Sequence, residues 1–193
     1  MLPTETLILT EQSALWVVEN FTEDLYDHLK DVFCYTEPPL GNGWIQRRDI
    51  SFFSNESIGY EYSKQIMKSL PLENVPIFPL LLEEINNSLN TNFNGILVNR
   101  YKNGEKYLSA HSDDENGLDK KNKMVVGLCY GAGIRKFRIR DKITKKIVLD
   151  YDQQPGTLLV MQGNFQQQFT HEIPVQKKVK DERISITFRN HIV

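Results

Sequence analysis

Two residue types that bind metal ions stand two positions apart in His111-Ser112-Asp113. On an extended backbone, side chains two residues apart point to the same face, so an imidazole nitrogen and a carboxylate oxygen can meet at one ion. Two protein ligands are too few for a stable site, so a third must come from elsewhere. His171 lies 60 positions further along, in the run FTHEIP, and is the candidate for the third ligand.

Two histidines and one carboxylate leave coordination positions open. This ligand set is typical of non-haem Fe(II) sites, and hydrolases use a similar set for zinc. A His-x-Asp sequence is also common in solvent-exposed loops. The three residues therefore predict a metal site and leave the choice between iron and zinc open.

The run RISITFR at 183–189 alternates strictly between apolar and polar residues. The apolar residues are expected to face a core between two sheets, and the polar residues the opposite side. The apolar set is Ile184, Ile186 and Phe188, and the polar set is Arg183, Ser185, Thr187 and Arg189.

Buried arginines are costly without a partner, and a dianionic ligand would supply one because a guanidinium can grip a carboxylate with two hydrogen bonds. The backbones of Arg183 and Arg189 lie about 20 Å apart at ~3.3 Å per residue. Only one of them can therefore hold a given carboxylate head-on. The alternative interpretation is a solvated edge strand with exposed arginines.

The 193 residues fit one domain, and 40% of them are hydrophobic, which is enough for a core. The net charge of −2 argues against binding of nucleic acid by bulk charge alone. The two cysteines show no pairing pattern, which favours a reducing compartment. The N-terminal residues do not resemble a signal peptide, and no run approaches the roughly 20 apolar residues that cross a bilayer. We therefore expect a soluble, intracellular protein without a membrane partner.

The pattern along the chain predicts helices first and strands afterwards. Residues 14–33 are interpreted as helical, at least from Thr22, and residues 76–90 as a second helix with Pro79 in its first turn. After residue 95, short β-rich runs separated by turn residues predict a sandwich or barrel. These runs are 96–101, 124–130, 136–140, 145–151, 156–162 and 183–189.

Together these motifs resemble the AlkB family of Fe(II)/2-oxoglutarate-dependent dioxygenases. The residues that carry the resemblance are Asn99-Arg100-Tyr101, His111 through Glu115, Gly163 through His171 with Pro174, and Arg183 through Arg189. The likeness is good over residues 76–193 and loose before them. The runs VNRYKNG, HSDDE and IPVQKKV are most similar to the eukaryotic DNA-repair branch.

The resemblance implies an α+β, mostly β fold, with a double-stranded β-helix (jelly-roll) core and supporting N-terminal helices. It implies one dioxygenase domain over 1–193, with N-terminal helices and a nucleotide-recognition region at 1–95 and the catalytic core at 96–193. His111, Asp113 and His171 would hold iron, and Arg183 would bind the distal carboxylate of 2-oxoglutarate. The other residues implied to contact the cofactor are Asn99, Tyr101, Ser185, Thr187 and Arg189. At Ser185 the family commonly has Asn, and this difference bears on cofactor affinity more than on cofactor identity.

The implied activity is oxidative demethylation of alkylated bases in DNA, with Fe(II), 2-oxoglutarate and O₂. Substrates such as 1-methyladenine and 3-methylcytosine would be repaired with release of formaldehyde and succinate. An RNA demethylase, a protein hydroxylase, a zinc hydrolase and a catalytically inactive nucleic-acid-binding module remain alternatives. We expect a monomer, in the nucleus if the source is eukaryotic and in the cytoplasm otherwise.

A base flipped out of its stack needs aromatic faces and polar edge contacts. Tyr60 and Tyr62 share one strand face and could line one pocket wall, and Glu115 matches a family position that contacts the base. Arg47 and Arg48 precede the aromatic strand and suit contacts to phosphate. Basic runs at 135–146 and 177–180 extend this pattern, although a solvated, charged hairpin is the ordinary explanation. The loop 38–43, with Leu40 or Trp44 as its tip, could insert between bases.

Overall fold

The structure is a computed structural model that describes residues 3–33, 35–39, 43–62, 65–114, 117–119 and 123–192. Two antiparallel sheets form its body. The seven-stranded sheet has the order β1-β2-β11-β8-β13-β6-β3, the four-stranded sheet has the order β10-β9-β12-β7, and β4 and β5 form a separate hairpin. The strands are Glu5–Leu9 (β1), Ser13–Val18 (β2), Asp49–Phe53 (β3), Gly59–Tyr62 (β4), Gln65–Lys68 (β5), Gly95–Tyr101 (β6), Leu108–His111 (β7), Val125–Tyr130 (β8), Arg135–Asp141 (β9), Ile147–Gln153 (β10), Leu158–Gly163 (β11), Phe169–Ile173 (β12) and Arg183–Arg189 (β13).

The main helix is α2, Ile77–Leu89, as predicted for residues 76–90. Its buried residues Phe78, Leu81, Leu82 and Ile85 follow helical spacing and form one stripe. The helix ends at Asn90, which adopts a left-handed conformation with φ 53°. The shorter helices are α1 (Tyr26–Leu29), the 3-10 helix Leu72–Asn74 and α3 (Phe165–Gln168). None of the described helices is long and apolar enough to cross a membrane.

The helix predicted over residues 14–33 is wrong over most of its length. Residues Ser13–Val18 form strand β2, which pairs with both β1 and β11, and only Tyr26–Leu29 is α-helical. The run Ala14–Val18 contains an aromatic and two β-branched residues, which suit a pleated surface once a partner strand is available. Three strands from before residue 95 therefore belong to the same sheet as the C-terminal strands.

Two cores lie on opposite faces of the large sheet. Ile184, Ile186 and Phe188 pack in the core beneath α2, not between the sheets as the alternation had suggested. The core between the sheets contains Tyr101 and Phe137, together with apolar residues of β2, β11 and β12. The large sheet is thus covered on both faces, and the polar face of β13 looks into the space between the sheets. This arrangement places arginines inside the protein.

The outer face of the small sheet carries paired charges instead of a basic patch. Arg138 hydrogen-bonds to Asp150 at 2.7 Å and Arg140 to Glu172 at 2.9 Å. Lys142 pairs with Asp114 at 3.2 Å. Because each of these cations faces a carboxylate, the positive charge of the 135–146 run is largely neutralised on the surface.

Arg135, at the start of the same run, is completely buried. Its guanidinium donates to the carbonyl oxygens of Asn103 (3.0 Å), Lys106 (2.9 Å) and Pro174 (2.6 Å). Burial lowers its pKa to about 10, which leaves it charged at neutral pH. It therefore connects the loop before β7 with the loop after β12.

Replacing Arg135 by alanine should lower the free energy of unfolding by about 3 kcal/mol or more, because a buried side chain is lost and three partly buried carbonyl groups lose their donor. The matched control is Arg138→Ala on the same strand, which removes a surface ion pair and should cost no more than about 1 kcal/mol. Guanidinium denaturation of both variants measures the difference. Equal unfolding midpoints would contradict this assignment.

Candidate metal and cofactor site

The two histidines stand opposite each other on neighbouring strands of the small sheet. His171 on β12 and His111 at the end of β7 are register partners in an antiparallel pair. Their ring centroids are 4.3 Å apart. Strand pairing therefore brings together two ligands that are far apart in sequence.

Asp113 completes the cluster from the turn that follows β7. Its Oδ1 lies 3.6 Å from His111 Nε2, and its Oδ2 lies 3.7 Å from His171 Nε2. The ligand atoms of all three residues lie within 4.8 Å of one another. The Ser112 hydroxyl donates to the Phe169 carbonyl oxygen at 2.9 Å, which fixes this turn against β12.

The protonation of the three side chains suits a cation. Burial lowers the pKa of His171 to about 3, so its imidazole is neutral at physiological pH. Burial alone would raise the pKa of Asp113, but Arg189 and the two histidines outweigh it and hold that pKa well below its usual range. His111 Nδ1 lies 2.9 Å from the Ser109 carbonyl oxygen, so Nδ1 carries a proton, and in the neutral tautomer with this hydrogen bond Nε2 is the nitrogen that can bind a metal. These are the states that a metal ion requires.

A buried polar atom also points to a missing partner. Among the described residues, Asp113 Oδ2 is buried and accepts no hydrogen bond. A buried carboxylate oxygen without a partner is costly, and a cation between it and the two Nε2 atoms would remove that cost. The donor set of two nitrogens and one carboxylate fits Fe(II) with positions left open.

Arg183 lines one cavity together with His111 and His171. It is 3% exposed and donates from Nη2 to Gln153 Oε1 at 2.9 Å. Its Nε and Nη1 atoms are buried without a hydrogen-bond partner among the described residues. Two unpaired donors on one guanidinium fit a carboxylate. Because Arg183 is buried, the alternative of a solvated edge strand with exposed arginines is wrong.

Strand pairing also places the other predicted cofactor residues around this cavity. Arg183 pairs with Tyr101 and Ser185 with Asn99, across β13 and β6. The Arg183 guanidinium lies 5.8 Å from the centre of the Tyr101 ring. The predicted residues that line the cavity are Arg48, Tyr60, Asn99, Tyr101, His111, His171, Arg183, Ser185, Thr187 and Arg189.

The residues predicted to contact the base or its phosphates differ in burial: Tyr60 and Arg48 are buried, and Arg47 is exposed. Tyr60 is buried beside the site, and its ring centre lies 5.5 Å from the Arg189 guanidinium. Arg47 is exposed, whereas its neighbour Arg48 is 4% exposed and points inward. The side chain of Tyr62, together with Glu115 and Leu40, lies outside the described residues.

Two glutamines that the sequence did not single out support the site. Gln153 accepts from Arg183, and Gln166 Oε1 accepts from the Asp113 backbone N–H at 2.9 Å. Both lie in glutamine-containing runs, QQ at 153–154 and QQQ at 166–168, whose composition indicates no particular role. Only their tertiary contacts with Arg183 and Asp113 identify them.

The model of the 2OG-Fe(II) oxygenase superfamily matches residues 40–189. The chain belongs to this superfamily. Its name specifies the cofactors 2-oxoglutarate and Fe(II), and the triad and Arg183 fit both.

The curated relatives confirm the resemblance to AlkB proteins. Alpha-ketoglutarate-dependent dioxygenase alkB homolog 3 of Bos taurus is 32% identical over 142 residues, covering 67% of this chain and 47% of that protein. The human homolog 3 is 27% identical, covering 92% of this chain and 62% of that protein. The human DNA oxidative demethylase ALKBH2 is 26% identical, covering 71% of this chain and 54% of that protein. The chain thus spans about half to three-fifths of the length of these relatives.

A solved structure of OsALKBH1 shares the fold. Its TM-score is 0.62 at 15% identity, over 97% of this chain and all of that one. At this identity the likeness concerns the fold alone. It confirms the mostly β, jelly-roll class that the resemblance implied.

We predict that Asp113→Ala raises the dissociation constant for Mn(II), a redox-stable substitute for Fe(II), by at least about 100-fold, because one of three ligands is lost. Calorimetric titration of the purified protein measures it. The matched control is Asp114→Ala, which removes an exposed carboxylate from the next residue and should leave the constant unchanged. Equal affinities in the two variants would disprove the ligand assignment.

Arg183→Ala should raise the KM for 2-oxoglutarate roughly 100-fold, since hydrogen bonds to a charged group contribute about 1.5–3 kcal/mol. Arg183→Lys should recover only part of this loss, because a lysine cannot form the two-pronged contact. Succinate formation at varied 2-oxoglutarate measures both constants. An unchanged KM in Arg183→Ala would show that the dicarboxylate binds elsewhere.

Proposed function

We propose that this chain catalyses oxidative demethylation of alkylated bases in DNA, such as 1-methyladenine and 3-methylcytosine. The observation that carries the proposal is one cavity lined by His111, His171, Arg183 and Tyr60. Metal ligands, a carboxylate partner and an aromatic ring therefore meet in one place. We expect a monomer that acts in the nucleus if the source is eukaryotic and in the cytoplasm otherwise.

Each group has a distinct task in the reaction. His111, Asp113 and His171 would hold Fe(II), and Arg183 would bind the distal carboxylate of 2-oxoglutarate. When bound with O₂, these cofactors supply the oxidation of an N-methyl group, which leaves as formaldehyde while 2-oxoglutarate becomes succinate and CO₂. Asn99 and Tyr101 face Ser185 and Arg183 across the strands and would orient the cofactor. Asn99, Tyr101 and Arg183 are buried, which would limit the access of water to the bound cofactor.

The substrate end of the proposal depends on Tyr60. A base must leave its stack before an enzyme can reach it, and it then needs an aromatic face. The Tyr60 ring is buried among Phe52 (centroids 5.8 Å apart), His191 (6.2 Å) and the Arg189 guanidinium. Tyr62 and Glu115 are proposed as further contacts to the base, on the resemblance alone.

Local basic residues would contact the phosphate backbone. Arg47 is exposed just before β3, and Lys177, Lys178 and Lys180 are exposed in the loop between β12 and β13. They, and not the neutralised outer face of the small sheet, are our candidates for salt-dependent phosphate contacts. The name of the human relative, DNA oxidative demethylase, supports DNA as the partner.

The competing functions make different demands on the site. RNA demethylation would use the same residues and differ only in the polymer. A catalytically inactive nucleic-acid-binding module would have no use for a buried metal triad beside an arginine with two unpaired donors. A zinc hydrolase would not need a partner for a dicarboxylate.

The decisive experiment measures succinate and formaldehyde together, with Fe(II), ascorbate and matched methylated DNA and RNA oligonucleotides. We expect equimolar products from DNA carrying 1-methyladenine or 3-methylcytosine and none from His111→Ala. Faster turnover of RNA would transfer the proposal to an RNA demethylase. Succinate without formaldehyde from any oligonucleotide would overturn the demethylase proposal and leave the cofactor assignment standing.

A further inference from the structure

We propose that Arg48 is a positioning residue for 2-oxoglutarate in this protein. It holds the Asn99 amide in one orientation and adds a positive charge to the cavity that Ser185 also lines. The proposal depends on the 2-oxoglutarate site and is independent of which polymer carries the methylated base.

Arg48 reaches the site from outside the strands that carry the other cofactor residues. It precedes β3 by one residue, and its side chain turns inward until it is 4% exposed. Its Nε donates to Asn99 Oδ1 at 2.7 Å. It lines the same cavity as Asn99, Arg183 and Ser185.

The hydrogen bond decides what Asn99 can offer to a ligand. A guanidinium has only donors, so the amide must present its oxygen to Arg48. The amide NH₂ group of Asn99 then remains available to donate hydrogen bonds to a ligand in the cavity. Because a carboxylate accepts hydrogen bonds and donates none, this orientation of the amide is the one that suits 2-oxoglutarate.

Ser185 is the residue whose limited hydrogen bonding a fixed Asn99 would offset. It is the direct register partner of Asn99. The resemblance to the AlkB family implies Asn at this position, and a serine hydroxyl is shorter and supplies a single donor. A fixed Asn99 and a nearby guanidinium would compensate for the donor that is lost at Ser185.

The charges lead to the same conclusion. 2-Oxoglutarate carries two negative charges, and Arg183 supplies one positive charge. Arg189 donates to Asp113 Oδ1 at 2.8 Å and so serves the metal ligand. Arg48 brings a further positive charge to the cavity, which offsets the cost of removing a dianion from water.

The test is calorimetric titration of 2-oxoglutarate into the Mn(II)-loaded protein, without nucleic acid. Arg48→Ala should weaken 2-oxoglutarate binding roughly 10- to 100-fold, the effect of losing a charge-assisted interaction. The Mn(II) affinity should stay unchanged, because the triad is intact. Arg47→Ala is the matched control: it removes an exposed arginine at the neighbouring position and should leave 2-oxoglutarate affinity as in the wild type.

A second substitution separates positioning from general packing. Ser185→Asn restores the residue that the resemblance implies and should raise 2-oxoglutarate affinity by a larger factor in the Arg48→Ala background than in the wild type. Loss of packing at position 48 would not be rescued by an amide on β13. Such non-additivity is the signature of two residues that serve the same ligand.

If Arg48→Ala binds 2-oxoglutarate as tightly as the wild type does, and its Mn(II) affinity is intact, the proposal is wrong. If Arg48→Ala loses Mn(II) binding as well, Arg48→Met fills the same space without a donor and decides the question by the same titration. Absence of demethylation on any oligonucleotide would contradict the proposed function and leave this binding result unaffected.

Discussion

A buried contact between Asp113 and Arg189 joins the two sheets at the metal site. Asp113 follows a strand of the small sheet and Arg189 ends β13, an inner strand of the large one, and their atoms approach to 2.8 Å. Burying either charge alone would cost several kcal/mol, so each requires the other. The contact also keeps Asp113 ionised, and an ionised carboxylate is what makes the triad a cation site.

Much of this site could be predicted because strand geometry is simple. Residues two apart on a strand share a face, which was enough to group His111 with Asp113 and Arg183 with Ser185 and Thr187. The same rule does not predict which face of the large sheet lies between the sheets and which face lies under α2. Ile184, Ile186 and Phe188 pack under α2 because the large sheet has a core on both faces. A single strand carries no information about what covers it.

The errors arise where tertiary contacts override local preference. Residues 13–18 are a strand because β1 and β11 are available to pair with them, and nothing in their own pattern reveals those partners. The basic run at 135–146 looked like a surface for nucleic acid. In the structure Arg135 is internal and Arg138 and Arg140 face carboxylates, because the strand neighbours that neutralise them come from β10 and β12. Arg47 and Arg48 are identical in type and adjacent, yet only one of them is exposed.

The separation of the ligands along the chain bears on how the protein folds. Asp113 and Arg189 are 76 residues apart, and the two histidines meet only when β7 and β12 pair. Contacts of such long range form after the loops between them have closed, at a cost in chain entropy. We therefore expect the metal site to form late in folding. A metal ion would stabilise the finished structure by mass action but would find no preformed nucleus in the unfolded chain.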